Sequence, residues 1–306
     1  MKLKKGNRIL SLVMAVFMVL TSVSWTEFGT VQAEAADYGP NVEYTFEQVK
    51  ELASIPVMNL VMADEGNYNT LKTDKEVKQN IAEFELVNTD GKGKNIHLTT
   101  SLDEETGDTL YPLTAKGRGN SSWRMATGKK PYNIKFDSKQ DILGMGKAKS
   151  WCLIANWVDT SHLRNYMAYE LACMLGMGTP DCELVALCVN DVFEGIYLIT
   201  EKVGLNSYRT EIPESDNDAD LNGDGIITEI MVETDARAYE NNEPGAFTTK
   251  NDVTYVPKDP ELENLTAKEV AEIKKELNEM EAAVMSGVNY EEYIDVDSWV
   301  VISSMS

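Results

Sequence analysis

Basic residues are scarce in this chain. Among its 306 residues, 28 lysines and arginines stand against 50 aspartates and glutamates, which gives a formal net charge of -22. A chain this acidic is not expected to bind nucleic acid or an anionic membrane surface unaided, because like charges repel. For the same reason, a phosphate ligand would require a divalent metal ion or a local cluster of basic side chains.

Histidine is almost absent, since His97 and His162 are the only two, and the chain contains no GxSxG sequence. A serine hydrolase needs a histidine base beside its nucleophile. His162 stands at the start of a predicted helix, where it needs no catalytic role. A hydrolase is therefore the least favoured class of function.

Cysteine is also rare, with Cys152, Cys173, Cys182 and Cys188 and no CxxC pair. This pattern indicates neither a thiol redox motif nor a zinc knuckle. Cys182 and Cys188 are predicted on one strand, about 20 Å apart, which is too far for a disulfide. Because all four have apolar neighbours, we predict buried thiols, although an exported chain could also form disulfides.

Long apolar runs are lacking except at the N-terminus. Four basic residues between positions 2 and 8 precede an apolar run from Ile9 to Leu20, and alanines follow at positions 33, 35 and 36. This is the plan of a secretory signal, so we predict a bacterial signal peptide over 1–36 and a secreted mature protein. No later stretch approaches the roughly 20 apolar residues of a spanning helix, so none is expected in the mature chain.

The remaining chain predicts an α+β fold with mostly antiparallel sheet. Residues 37–54 form a lead-in that contains a short helix, with Thr45 and Gln48 spaced as a capping box. Strand-like pieces over 80–115 are separated by Asn, Asp and Gly turn signals. The other predicted elements are a strand at 55–62, a strand at 151–157, a helix at 162–175, hairpins at 182–200 and 247–255, and a helix at 266–287.

The stretch 116–137 joins a glycine-bearing turn to a basic strand. Gly119 allows the backbone to approach a ligand closely, and Asn120, Ser121 and Ser122 add short polar groups. On the strand, Lys135 faces away from the apolar residues. Glycine turns between strands are common, so the stretch alone indicates a phosphate site only weakly. The basic side chains concentrated here are Lys116, Arg118, Arg124, Lys129, Lys130 and Lys135.

The helix at 162–175 supplies a candidate partner for Lys135. Its apolar face is predicted to carry Leu163, Tyr166, Met167, Leu171 and Met174. Glu170 falls near the middle of that face, and a buried carboxylate needs a partner. The order turn, basic strand, helix with an inward glutamate and two further strands is that of the small lobe of protein kinases. Glu201 would begin the hinge that follows this lobe.

A polar loop carries Asp218, Asp220, Asn222 and Asp224. Counting Asp220 as position one, oxygens at positions one, three and five and a glycine at six reproduce the first half of a calcium loop. Position twelve is Met231 instead of the bidentate acid. Bound Ca²⁺ and a solvated acidic loop both remain open as interpretations.

Several segments together resemble one family. The succession RGNSSW, KKPYNIKF, WCLIANWVDTSHLRN, VNDVFEGIYLITEKV and TTKNDVTYVPKDPE resembles the CotH kinase-like family of spore coat and exported bacterial proteins. The resemblance covers residues 55–306. It implies an atypical protein-kinase-like fold with a small lobe at about 55–203 and an incomplete C-terminal lobe at about 204–306.

The resemblance also implies a reaction and a set of residues. Family members transfer the ATP γ-phosphate to serine of secreted or coat proteins, using Mg or Mn. Lys135 matches the phosphate-binding lysine, Glu170 its helix partner, and the LRN segment with Asn165 a structural support. The residues that match the RGN turn are Arg118, Gly119, Asn120, Ser121 and Ser122.

The catalytic and metal-binding aspartates of the family are expected beyond Ser306. The chain is therefore expected to be inactive or nearly so by itself. The alternative is a non-catalytic module of the same fold that works in adhesion, carbohydrate association or extracellular assembly.

Overall fold

Strands dominate the part of the chain that can be described. The computed structural model describes residues 43–294, apart from 90, 92, 177–178, 204–229, 241–242, 244 and 260–264. The predicted signal peptide, the calcium loop with Asp218, Asp220, Asn222 and Asp224, and the last apolar segment lie outside the described residues.

The elements follow one another with short connections. In chain order they are α1 (Phe46–Leu52), β1 (Val57–Met62), α2 (Gly66–Thr73), β2 (Gln79–Val87), β3 (Ile96–Thr99), β4 (Ser101–Leu102), β5 (Thr109–Leu110), β6 (Leu113–Gly117), α3 (Ser121–Met125), β7 (Tyr132–Asp141), β8 (Lys147–Ile154), α4 (Arg164–Met174), β9 (Cys182–Val189), β10 (Val192–Glu201), β11 (Met231–Thr234), β12 (Phe247–Thr248), β13 (Thr254–Asp259), α5 (Ala267–Ser286) and a 3-10 turn, Tyr290–Glu292.

Seven of these strands close into a barrel. The ring runs β1, β9, β10, β8, β7, β6 and β2, and β2 pairs again with β1. Only the β1–β9 pair is parallel within this ring, and β3 extends the sheet beyond β2. The predicted α+β class with mostly antiparallel strands is confirmed. The closure into a barrel was not predicted, and the barrel is not specific to a kinase lobe.

The barrel is filled by side chains that point inward from alternate positions. Phe84 and Phe136 meet edge to face with their ring centroids 5.0 Å apart, and Trp151 is fully buried. Outside the barrel, Phe46 and Val49 of α1 pack on Val57 of β1. Both faces of β1 are thus covered, which explains its nearly continuous apolar sequence.

Local sequence signals account for several of these boundaries. Helix α1 follows the predicted capping box of Thr45 and Gln48, and α5 follows a second one at Thr266 and Glu269. The β9–β10 turn places Asn190 and Asp191 at φ 49° and 64°, a left-handed conformation that these two residue types tolerate. The helices of the described residues include none that is both long and apolar enough to cross a membrane.

A second sheet, of β11, β13 and β12 in that order, packs with α5. Glu281 of α5 is 8% exposed and accepts three hydrogen bonds from this sheet and its β12–β13 turn. The donors are the Thr249 hydroxyl at 2.9 Å, the Asn251 amide at 2.9 Å and the Tyr255 hydroxyl at 3.0 Å. A buried carboxylate in this position links the helix to the hairpin.

We expect Glu281→Ala to lower the free energy of unfolding by about 2–4 kcal/mol, because it leaves the buried Tyr255 hydroxyl without its acceptor. Urea denaturation followed by fluorescence measures this change. Glu279→Ala is the matched control, since Glu279 is an exposed residue of the same helix, and we expect a change within about 0.5 kcal/mol. Equal stabilities of the two variants would contradict the role of Glu281.

Candidate functional site

The strand register brings four basic residues onto one outer face of the barrel. Lys116 of β6 lies opposite Asn133 of β7, and Lys135 of β7 lies opposite Ser150 of β8. The Lys202 amide donates to the Ser150 carbonyl at 3.0 Å, which sets Lys202 beside the same position. Because side chains alternate along a strand, these lysines point outward, away from the core. We call Lys116, Arg118, Lys135 and Lys202 the basic outer face.

The charges of this face are only partly neutralised. Lys116 forms an ion pair with Glu76, with 2.9 Å between the Lys116 Nζ and a Glu76 carboxylate oxygen. Arg118, Lys135 and Lys202 form no ion pair with any described carboxylate. Lys135 and Lys202 are exposed, whereas Arg118 is half-buried. The face is therefore a local positive region on an acidic protein.

Arg118 and Lys202 converge on the Cys152 thiol. Burial raises the pKa of Cys152, and the charges of Arg118 and Lys202 oppose that rise. Arg118 also opposes the rise that burial causes in the pKa of Tyr169. Arg118 thus lies near both strand β8 and helix α4.

The RGN turn holds Arg118 in place. A Cβ atom at Gly117 would lie 2.6 Å from the Trp123 ring, so only glycine fits. Gly119 has φ +78°, and a Cβ there would lie 2.1 Å from the Ser122 hydroxyl. The Asn120 side chain accepts a hydrogen bond from Lys75 Nζ at 2.9 Å. Ser121 and Ser122 begin the short helix α3 and are exposed.

The two lysines of the KKP segment have structural partners. Lys130 Nζ donates to the Trp123 carbonyl at 2.9 Å and lies 4.8 Å from the centroid of that ring. Lys129 Nζ donates to the Ile196 carbonyl and lies 4.5 Å from the Tyr197 ring centroid. The Tyr197 hydroxyl in turn donates to the Lys130 carbonyl at 3.0 Å. These lysines fasten α3 and β7 to β10, so they do not belong to the basic outer face.

Burial lowers the pKa of Lys129 to about 8 from the ordinary value of 10.5. The folded chain therefore binds fewer protons than the unfolded chain between these values, and stability rises with pH across that range. We expect the melting temperature of the wild type to rise relative to that of Lys129→Met between pH 8 and pH 10. Lys147→Met, at an exposed lysine of β8, is the control. A difference in melting temperature between the wild type and Lys129→Met that does not change with pH would contradict this prediction.

Helix α4 does not present Glu170 inward, so that prediction is wrong. Glu170 is exposed, and no described ion pair joins it to Lys135. The true inner face carries Tyr166 and Tyr169, which are half-buried, whereas Met167 is 61% exposed. The large tyrosine rings, spaced i and i+3, decide which side packs on the strands. Of the predicted face, Tyr166 and Leu171 are half-buried, whereas Leu163, Met167 and Met174 are exposed.

The loop before α4 is held by side-chain hydrogen bonds. The Asp159 carboxylate accepts from the Arg164 amide at 2.9 Å and from the Ser161 hydroxyl at 2.7 Å. The Asn165 side chain donates to the Asn156 side-chain oxygen at 2.7 Å. The Asp159 carboxylate therefore accepts from the first backbone amide of α4, whereas Leu163 at the N-cap position makes no side-chain capping bond. Asn165 of the LRN segment supports the loop, as its predicted structural role requires.

Glu201 does not join the basic outer face. It lies opposite Trp151 in the β10–β8 ladder and is 7% exposed, on the inner side of β10. Alternation along β10 sends Lys202, the next residue, to the outer side. The structure therefore places Lys135 on the same outer face as Arg118 and Lys202, but not with Glu170 or Glu201. Lys202 could not be chosen from local sequence, because the β8–β10 pairing that positions it is non-local.

Two other predictions of burial are wrong. Cys173 is exposed on α4, whereas Cys152, Cys182 and Cys188 are buried thiols outside any disulfide, as predicted. Trp157 falls within the strand predicted over 151–157 but is 43% exposed, because β8 ends at Ile154. It lies in the loop after β8, where the alternation of the strand no longer applies.

A family model described as CotH kinase protein matches residues 115–301, more than half of the chain. The match begins in β6 and includes the RGN turn, the KKP segment, α4 and the β9–β10 hairpin. A search of curated proteins finds no match. All four residues of the basic outer face lie within the matched range.

Proposed function

The chain belongs to the CotH kinase protein family, and from this premise we propose that its basic outer face binds the phosphates of ATP. The observation that carries the proposal is the convergence of Arg118, Lys135 and Lys202 on one face of a chain with net charge -22. An acidic protein repels nucleotides unless it concentrates positive charge locally.

The geometry suits phosphate oxygens. Lys135 and Lys202 flank Ser150 on neighbouring strands, so two ammonium groups can contact one phosphate chain. Arg118 can donate two parallel hydrogen bonds to one phosphate group. Because all three residues lie on or directly after barrel strands, their positions are fixed before the ligand binds, which lowers the entropy cost of binding.

The proposed reaction is transfer of the γ-phosphate to serine of a secreted or coat protein. A bound Mg²⁺ or Mn²⁺ ion would neutralise part of the negative charge of the ATP phosphates. The described residues of the basic outer face include no carboxylate, so we assign the metal no ligand among them. Export through the segment 1–36, an atypical kinase lobe around the barrel and a calcium loop at 218–224 form part of the same proposal.

Addition of ATP with Mg²⁺ to the 306-residue chain should raise its melting temperature, and Lys135→Ala should reduce that rise. The reaction itself is tested by adding labelled ATP and secreted or coat proteins and measuring the transfer of the γ-phosphate to serine. The alternative function, an adhesive or carbohydrate-associated module, predicts no change with nucleotide. The 43% exposure of Trp157 gives that alternative one aromatic surface, because carbohydrates stack on exposed indole rings.

A further inference from the structure

We propose that Glu83, Glu85 and His97 form a binding site for a divalent transition-metal ion such as Zn²⁺. One ligand atom from each residue lies within 4.8 Å of the other two. The site stands on the β2–β3 pair, before the first residue of the family match at 115. It is therefore separate from the basic outer face, and its test does not depend on kinase activity.

Strand register, rather than chance proximity, brings the three side chains together. Glu83 and Glu85 are two residues apart on β2 and so share one face. His97 lies directly opposite Glu85 on β3. His97 Nε2 and a Glu83 carboxylate oxygen are 2.7 Å apart. The inward residues Phe84 and Leu86 are fully buried, which fixes the backbone beneath the site.

The chemistry of the three ligands selects the class of metal. Surface carboxylates often occur together without an ion. The imidazole of His97 distinguishes this group from an ordinary acidic cluster. Imidazole favours Zn²⁺, Cu²⁺ or Ni²⁺ over Ca²⁺ and Mg²⁺, which prefer oxygen. Two ligands bound to one zinc ion lie at most about 4.2 Å apart. The side chains are partly exposed, so small rotations can reduce the present separation to that distance.

One competing charge lies beside the site. Lys50 Nζ of α1 is 4.0 Å from a Glu85 carboxylate oxygen and 2.6 Å from one of Glu47. Glu47 raises the pKa of Lys50 most, and Glu85 contributes. A bound dication would be repelled by this ammonium group. Lys50→Gln should therefore leave Zn²⁺ affinity unchanged or increase it.

Calorimetric titration of Zn²⁺ into the chelator-dialysed 306-residue chain tests the site. We expect one tight equivalent of Zn²⁺, with affinity at least about tenfold weaker in Glu83→Gln, Glu85→Gln and His97→Asn. His162→Asn is the matched control for the histidine and Glu104→Gln the control for a carboxylate, and both should bind like the wild type. Zn²⁺ should also raise the melting temperature of the wild type but not that of His97→Asn.

Two outcomes of the same titration would overturn the proposal, and a third would contradict the expected effect of Lys50. Tight binding that persists in all three ligand variants would place the ion elsewhere on the acidic chain. Absence of tight binding in the wild type would exclude the site. Weaker binding in Lys50→Gln would contradict the electrostatic argument. Circular dichroism of the metal-free variants establishes that each one is folded before these comparisons are made.

Discussion

Gly117→Ala is expected to lower the melting temperature by roughly 5–10 °C. The added Cβ would lie 2.6 Å and 2.8 Å from two atoms of the Trp123 ring and 2.9 Å from the Lys75 Cα. Overpacking of this kind typically costs about 1–3 kcal/mol, which corresponds to several degrees for a chain of this size. The upper part of that range applies here because neither neighbour can move away easily.

Trp123 is fixed on two sides. Its ring is 8% exposed, and its carbonyl accepts a hydrogen bond from Lys130. The Lys75 atom nearest to Gly117 is the backbone Cα. A backbone atom shifts less readily than the end of a flexible side chain. The strain would therefore spread into the RGN turn and displace Arg118, so nucleotide affinity should fall together with stability.

Gly66→Ala provides the matched control. A Cβ there would meet only the Asp64 side chain, at an ordinary 3.5 Å, and the change should be neutral or slightly stabilising. In a Trp123→Phe background, Gly117→Ala should cost less, because the smaller ring leaves room for the methyl group. Equal melting temperatures for the two alanine variants, or full additivity of Gly117→Ala and Trp123→Phe, would show that the close approach is unimportant.

Removing three charges from the basic outer face is expected to weaken ATP binding at least about a hundredfold. The variant replaces Arg118, Lys135 and Lys202 with alanine. Each residue would lose a charge-assisted contact worth about 1–2 kcal/mol, and tenfold in affinity corresponds to about 1.4 kcal/mol. Wild-type affinity should also fall as salt concentration rises.

The matched control removes three positive charges outside the basic outer face, at the exposed residues Lys94, Lys147 and Lys268. Net charge is then identical in the two variants, so any difference in their ATP affinity is due to the position of the charges. We expect the control to bind ATP within about threefold of the wild type, because distant exposed charges are screened. Similar losses of ATP affinity in both variants would show that net charge alone, and not the position of the charges, determines the affinity.

Features that depend on local sequence were predicted well. The capping residues Thr45 and Thr266 begin α1 and α5 as expected, because a cap acts within one helical turn. The β9–β10 hairpin follows from Asn190 and Asp191, which tolerate positive φ. Lys135 was also correctly assigned to the outer side of its strand, since alternation is a property of the strand itself.

Features that depend on distant pairing were not predicted. Barrel closure depends on β2 pairing with both β1 and β6, and the sequence between these strands does not specify that arrangement. The inward face of α4 was misassigned because Glu170 and Tyr169 differ by only one position, and the packing surface of β9 decides between them. Lys202 is positioned by its hydrogen bond to Ser150 of β8, which is about 50 residues away along the chain.

Protection of individual lysines from acetylation is the sharpest test of nucleotide binding to the basic outer face, because it locates the nucleotide on the protein. The 306-residue chain is labelled with and without ATP and Mg²⁺, and each lysine is quantified by mass spectrometry. The proposed site predicts that ATP protects Lys135 and Lys202 and leaves the exposed lysines Lys94 and Lys147 unchanged. Equal labelling of Lys135 and Lys202 with and without saturating nucleotide would contradict it.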